Sequence, residues 1–165
     1  MKMERVILLG TAAGTGWRAE MIGRLVARGV ALEKIVNPHL PPGIRWTPAH
    51  MKEEQRVKRD PQTIIFIYVC PAVVDVTKLD SVSAADKAEW LGPASMKEIG
   101  QYGWGAPQRT AIVLDYESFV DGGRPRKVLL GFVDEMNEDF EGSGPPYFAT
   151  QAEAEDWIVG QLTGE

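Results

Sequence analysis

The sequence predicts a three-layer α/β domain with a mostly parallel sheet of the flavodoxin or Rossmann type. Three observations lead there. A short apolar strand, Val6–Leu9, runs into a glycine-rich loop and then an amphipathic helix. Seven consecutive apolar residues, Ile64–Cys70, are β-branched or aromatic enough to be a central strand covered on both faces. Thr110–Leu114 repeats that pattern on a smaller scale. The 165 residues suit one domain, with no linker, repeat or low-complexity tract to divide them.

Taken in order, Gly10 stops the first strand, and Thr11–Gly16 is too small and glycine-rich for anything but loop. The first helix begins near Trp17. Trp17, Met21, Ile22, Leu25 and Val26 share one face, and Arg18, Glu20, Arg24 and Arg28 take the other. Gly29 fits the position just past the helix end. Leu32–Val36 reads as a second strand closed by Asn37-Pro38, and Leu40–Trp46 as a proline loop. Thr47 caps a polar surface helix with Pro48 at its first position, running through Met51–Arg59. After the central strand, Ser83–Trp90 is a short helix. Ser95-x-x-Glu98 has the spacing of a capping box opening another helix, which runs to about Trp104. Asp121–Arg126 reads as a turn, Val128–Val133 as the last strand, and Asp134–Glu141 as an exposed acidic stretch. Thr150-x-x-Glu153 opens a final helix that turns Trp157, Ile158 and Leu162 to the core.

Composition removes several classes of function. Apolar residues make up 44% and charged residues 25%, an ordinary globular balance. Eighteen basic against twenty-three acidic residues, with no basic run, argue against binding a nucleic-acid polymer. Cys70 is the only cysteine, so no intrachain disulfide forms. With only His39 and His50 beside it, no tetrahedral Cys/His zinc site is available. No apolar run approaches the ~18–20 residues of a membrane span, and Met1–Gly10 reads as a strand rather than a signal peptide. A reducing, cytoplasmic setting is the expectation. No metal or cofactor is implied.

Ligands of open parallel sheets bind beyond the carboxyl ends of the strands. That rule selects Gly10–Arg18, Asn37–Trp46, Pro71–Asp80 and the loop before Glu98. In the first loop, Gly10, Gly14 and Gly16 let backbone approach a ligand at a helix start, with Thr11 beside them as a binding candidate. Gly14–Ala19 matches the GxGxxA pattern, but Asn37 stands where a dinucleotide site carries an acid, and no Gly-Lys-Ser/Thr follows. A tight βα turn explains the glycines equally well. Arg18 suits a phosphate or a solvated first turn, and Asn37 a sugar hydroxyl or a simple Asn-Pro turn. Trp17 is core or a stacking surface; Trp46 covers a site or excludes water. Glu98 is either a cap that bonds the Ser95 N–H or a carboxylate aimed at the strand ends, kept ionised by the helix dipole.

The succession Leu9-Gly10-Thr11, Trp17-Arg18, Asn37-Pro38, Trp46-Thr47-Pro48, an apolar strand ending at Pro71, and Ser95-Met96-Lys97-Glu98-Ile99-Gly100 resembles the nucleoside 2-deoxyribosyltransferase-like superfamily over roughly residues 6–115. The resemblance implies cleavage or transfer at an N-glycosidic bond, with Glu98 as nucleophile and Ser95 beside it. It also implies a small-molecule nucleoside or nucleotide partner and a homo-oligomer that completes its pocket. Transferases of this kind carry an aspartate six residues before the glutamate; Gly92 stands there. Asp75, Asp80 and Asp86 are candidate replacements, with Asp75 best placed behind Pro71. A non-catalytic nucleotide-sensing or sequestering domain on the same fold is the alternative.

Overall fold

The computed structural model describes residues 2–11, 16–41, 43–69, 93–115 and 124–164. Five parallel strands lie in the order β2-β1-β3-β4-β5, the doubly wound flavodoxin-like order. They are β1 (Arg5–Gly10), β2 (Ile35–Val36), β3 (Thr63–Val69), β4 (Thr110–Leu114) and β5 (Tyr147–Phe148). The helices are α1 (Trp17–Ala27), α2 (Pro48–Arg59), α3 (Pro93–Gly105), α4 (Arg124–Asp139) and α5 (Gln151–Thr163).

The three strands expected from apolar runs are adjacent, parallel and buried. Val6 pairs with Ile64 and Ile65 with Thr110. All seven residues of β3 are buried, as a strand covered on both faces requires. Alternation along the strands divides the core in two. Val6, Leu8, Phe66, Tyr68 and Val113 face α1 and α5. Ile7, Leu9, Ile67, Val69 and Leu114 face α2, α3 and α4.

Several expectations are corrected. Leu32–Lys34 is a turn of 3-10 helix, and only Ile35–Val36 pairs with β1. Val128–Val133 is not a strand but part of α4, which also takes in Arg124–Arg126 from the expected turn. Leu129, Val133 and Met136 are fully buried at helical spacing while Val128 is 58% exposed. An apolar run this short fits either period, and the buried positions show which one holds. The last strand is instead Tyr147–Phe148 beside β4. The acids at 134, 135, 138, 139 and 141 are exposed, as expected.

The helix ends follow their local chemistry. Thr47 and Thr150 both form capping boxes, the first with His50 and the second with Glu153. Gly29 follows the last turn of α1 with φ +88, a conformation that favours glycine. The expected helix at 83–90 and the first half of the expected 121–126 turn lie outside the described residues. No helix among the described residues is long and apolar enough to cross a membrane.

Candidate functional site

The order of the strands fixes where to look. The chain leaves β1 toward one face and β3 toward the other, so the carboxyl ends of these neighbours form the crevice of a doubly wound sheet. Gly10 ends β1 there with φ +110. A Cβ on Gly10 would lie 1.9 Å from the Tyr68 carbonyl oxygen, so this close approach of β1 to β3 admits only glycine. The Thr11 N–H then donates to the same carbonyl at 2.9 Å.

On the α1 side, polar groups hold the end of β1 in place. The Arg18 guanidinium donates to three carbonyls: Leu8 at 3.1 Å, Thr11 at 3.1 Å and Gly10 at 3.0 Å. Trp17 Nε1 donates to the Thr11 carbonyl at 2.8 Å. The Trp17 ring packs 4.8 Å from Tyr68 and 5.9 Å from Phe66, and the Arg18 guanidinium lies 4.4 Å over it. Arg18 is therefore buried, not on the solvent face of α1 as its helical position suggested. The backbone carbonyls at the end of β1 thus take up its donors on this side. Trp17 is core, and Thr11 acts here through its backbone.

On the α2 and α3 side the polar groups are side chains. Glu98 projects from the second turn of α3, because that helix starts at Pro93 and Ser95 is buried within its first turn. The Ser95–Glu98 spacing is thus no capping box, and Glu98 lies beyond the free N–H groups of the helix start. Its Oε1 stands 3.3 Å from Lys58 Nζ. Lys58 also forms an ion pair with Glu54, one turn earlier on α2. The Lys58 side chain is only 6% exposed, and its ammonium sits 5.9 Å from the Tyr102 ring center. Glu54 and Glu98 thus share one ammonium as partner.

Burial raises the Glu98 pKa above the ordinary carboxylate value. The Lys58 charge and hydrogen bond, and a backbone hydrogen bond from Gly10, act in the opposite sense without cancelling it. The expected dipole-driven ionisation is therefore replaced by a contest between desolvation and Lys58. Burial works against the Lys58 charge as well, but the hydrogen bond it donates to Glu54 and the attraction of both carboxylates outweigh it, and its pKa rises. Burial also raises the Tyr102 hydroxyl. Arg109 fixes the end of α2 by donating to the Lys58 and Thr63 carbonyls, both at 2.8 Å.

At the neighbouring strand ends, the Tyr68 hydroxyl donates to the Asp115 carboxylate. Asn37 accepts the His39 N–H at 3.0 Å on its side-chain oxygen, a local turn. Trp46 is 48% exposed and meets His50 edge-on at 6.1 Å. Both Asn37 and Trp46 border a cavity of about 330 Å³ beside α2. Gly14, Asp75, Asp80 and Asp86 lie outside the described residues. Among the described residues, no group of three or more His, Cys, Asp or Glu side chains is placed to hold a metal ion.

Sequence reasoning located Glu98 and Gly10 but missed Lys58, Glu54 and Asp115. The Glu54–Lys58 pair has the i, i+4 spacing of a helix-face ion pair, a signal present in the sequence. On a helix so rich in charge it did not stand out from Glu53–Arg56. No protein-family model matches the chain, and neither curated proteins nor solved structures give a significant match.

Proposed function

We propose that this protein cleaves or transfers at the N-glycosidic bond of a nucleoside or nucleotide, with Glu98 as the nucleophile. The observation that carries the reading is the Glu98 carboxylate in the β1–β3 crevice, between Gly10 and the Lys58 ammonium, with a second carboxylate, Glu54, on the same lysine. The resemblance of Ser95–Gly100 and the Gly10–Arg18 opening to the deoxyribosyltransferase-like superfamily supports it independently.

The chemistry would run in two displacements. A Glu98 oxygen attacks the anomeric carbon and the carbon–nitrogen bond breaks. The base leaves with the electron pair and takes a proton from the Lys58–Glu54 pair. Water or a second base then attacks the anomeric carbon and returns the electron pair to Glu98. The acceptor's proton restores the Lys58–Glu54 pair. Lys58 keeps Glu98 ionised against the cost of burial and balances the charge of Glu54. A cytoplasmic setting and assembly into a homo-oligomer belong to the same proposal.

Incubation of the protein with nucleosides and their monophosphates, with base release followed by chromatography, tests the reading. Base should appear with wild type and not with Glu98→Gln. The substitution keeps size and one hydrogen-bond acceptor but removes the charge. Binding without turnover is the second reading, favoured by Gly92 in the place of the family's aspartate. Ligand binding with no base release by the wild type would select it.

A further inference from the structure

Helix α4 carries its charges against its own dipole. Its first turn holds Arg124, Arg126 and Lys127, and its last two turns hold Asp134, Glu135, Glu138 and Asp139. The dipole favours the reverse, acids at the start and bases at the end. α1 and α2 follow that preference, with Arg24 in the last turn of one and Arg56, Lys58 and Arg59 in the last turn of the other. Asp134 and Glu138, and Glu135 and Asp139, are also like charges at i, i+4, which repel within a helix. Leu129, Val133 and Met136 form the buried side of α4, while Lys127, Val128, Gly131, Asp134, Glu135 and Glu138 are all exposed. We propose that this outer face is where two copies of the chain meet: α4 packs antiparallel on α4 of a second copy, across a two-fold axis at Gly131. The inference gives a surface to the homo-oligomer proposed above and rests on none of the glycosidic chemistry.

Three observations favour a second copy over any other partner. The first is that the charges are antisymmetric about Gly131. Lys127 and Glu135 stand one turn to either side of it, and the Arg124 and Glu138 positions two turns. A half-turn rotation about Gly131 therefore sets Lys127 against Glu135 of the partner subunit, and the Arg124 position against Glu138 of the partner subunit. Each pairing occurs twice, as a two-fold contact requires. Antiparallel packing also lays each basic helix start beside the negative end of the other dipole, which removes the internal conflict. The second observation is Gly131 itself. A Cβ there would meet nothing within 4 Å, so no packing inside the chain calls for glycine, yet its bare backbone lets another helix come close at the axis. The third is a groove of about 860 Å³ at the acidic end of α4, lined by Asp134, Glu138, Glu141, Pro145, Pro146 and Tyr147. Tyr147 is 44% exposed and Val128 58%. The same rotation carries the basic, Val128-bearing start of the second helix toward this groove. Exposed apolar side chains and unlike charges are then covered by one operation.

Sedimentation equilibrium of the full chain reads the assembly directly. Wild type should give twice the 18.2 kDa chain mass, and the dimer should weaken as salt is raised. Lys127→Glu and Glu135→Lys each set like charges across the axis, and each should weaken the dimer about tenfold or more. An equimolar mixture of these two variants should dimerise again, because the mixed pair opposes unlike charges at both contacts. Mixing would not cure a folding defect in either one. Gly131→Leu should keep the circular dichroism of wild type, since its side chain enters open space within the chain, and should weaken the dimer by blocking the axis. A wild type that stays at 18.2 kDa up to its solubility limit, a dimer indifferent to both charge reversals, or a mixture that binds no tighter than its components would each overturn the proposal. None of these readouts needs base release. Loss of the interface leaves the glycosidic reading standing, and a dimer that behaves as described but releases no base keeps the interface and removes that reading.

Discussion

The two faces of the sheet bury charge in opposite ways. On the α1 face, Arg18 is buried against three backbone carbonyls at the end of β1, which no side-chain motion can withdraw. On the α2–α3 face, the buried Lys58 ammonium is held by two part-buried carboxylates, Glu98 and Glu54. A guanidinium fixed by backbone is framework: its geometry is that of the strand end. A carboxylate held by other ionisable side chains can gain or lose a proton and exchange partners, which chemistry requires. Buried charge alone does not mark a site; what satisfies it does.

The comparison can be broken most severely at Glu98. Glu98→Gln should reduce base release by ~10⁴–10⁶, the loss that follows deletion of a nucleophile. Its melting temperature should stay near wild type, because Lys58 keeps Glu54. An active Glu98→Gln enzyme would make this face as structural as the other.

Lys58→Met comes next. It removes the cation common to two part-buried carboxylates and should cost ~3–5 kcal/mol in denaturant unfolding, the scale of breaking a buried pair. The Glu98 pKa, already raised by burial, should rise further, so the acid limb of any activity profile should move to higher pH. An unmoved limb would show that Lys58 does not act on Glu98.

Arg18→Met should cost about 3 kcal/mol by leaving β1 carbonyls without donors. The folded fraction should bind nucleosides as wild type does. Arg18→Lys should recover only part of the loss, since one ammonium cannot reproduce the guanidinium fork. Phosphate-dependent binding lost in Arg18→Met at full stability would return Arg18 to the ligand.

The smallest effect is a pH slope. The folded state binds the Glu98 proton more tightly than the unfolded chain does. This contribution is therefore fully present below the unfolded value and is lost as pH rises through the raised folded value. Wild type should lose stability above the ordinary carboxylate value of 4.5, and Glu98→Gln should flatten that part of the curve. Melting temperatures measured across the acid range for the two proteins check the sign.

Much of the framework was legible because continuous apolar runs and capping boxes are local signals. β1, β3, β4, the Thr47 and Thr150 caps and Gly29 all follow from a few neighbouring residues. The errors occurred where a short run fits two periods. Leu32–Val36 and Val128–Val133 could each be strand, and tertiary packing made the first mostly 3-10 turn and the second helix. The site was less legible, because its partners are far apart in sequence. Lys58 and Glu98 are forty residues apart, and nothing local shows that α2 turns Lys58 inward. The Ser95–Glu98 spacing misled for a related reason: the helix had already begun at Pro93.

The brevity of the outer strands has a further consequence. β2 and β5 are two residues each, at opposite margins of the sheet. A long bare margin offers a row of unpaired amides and carbonyls that recruits strands from other chains. Here each margin presents at most a few such groups, too little for a neighbour's strand to add on in register. The long, fully buried β3, the segment best suited to cross-β stacking, is sealed at the centre of the sheet with two strands on either side.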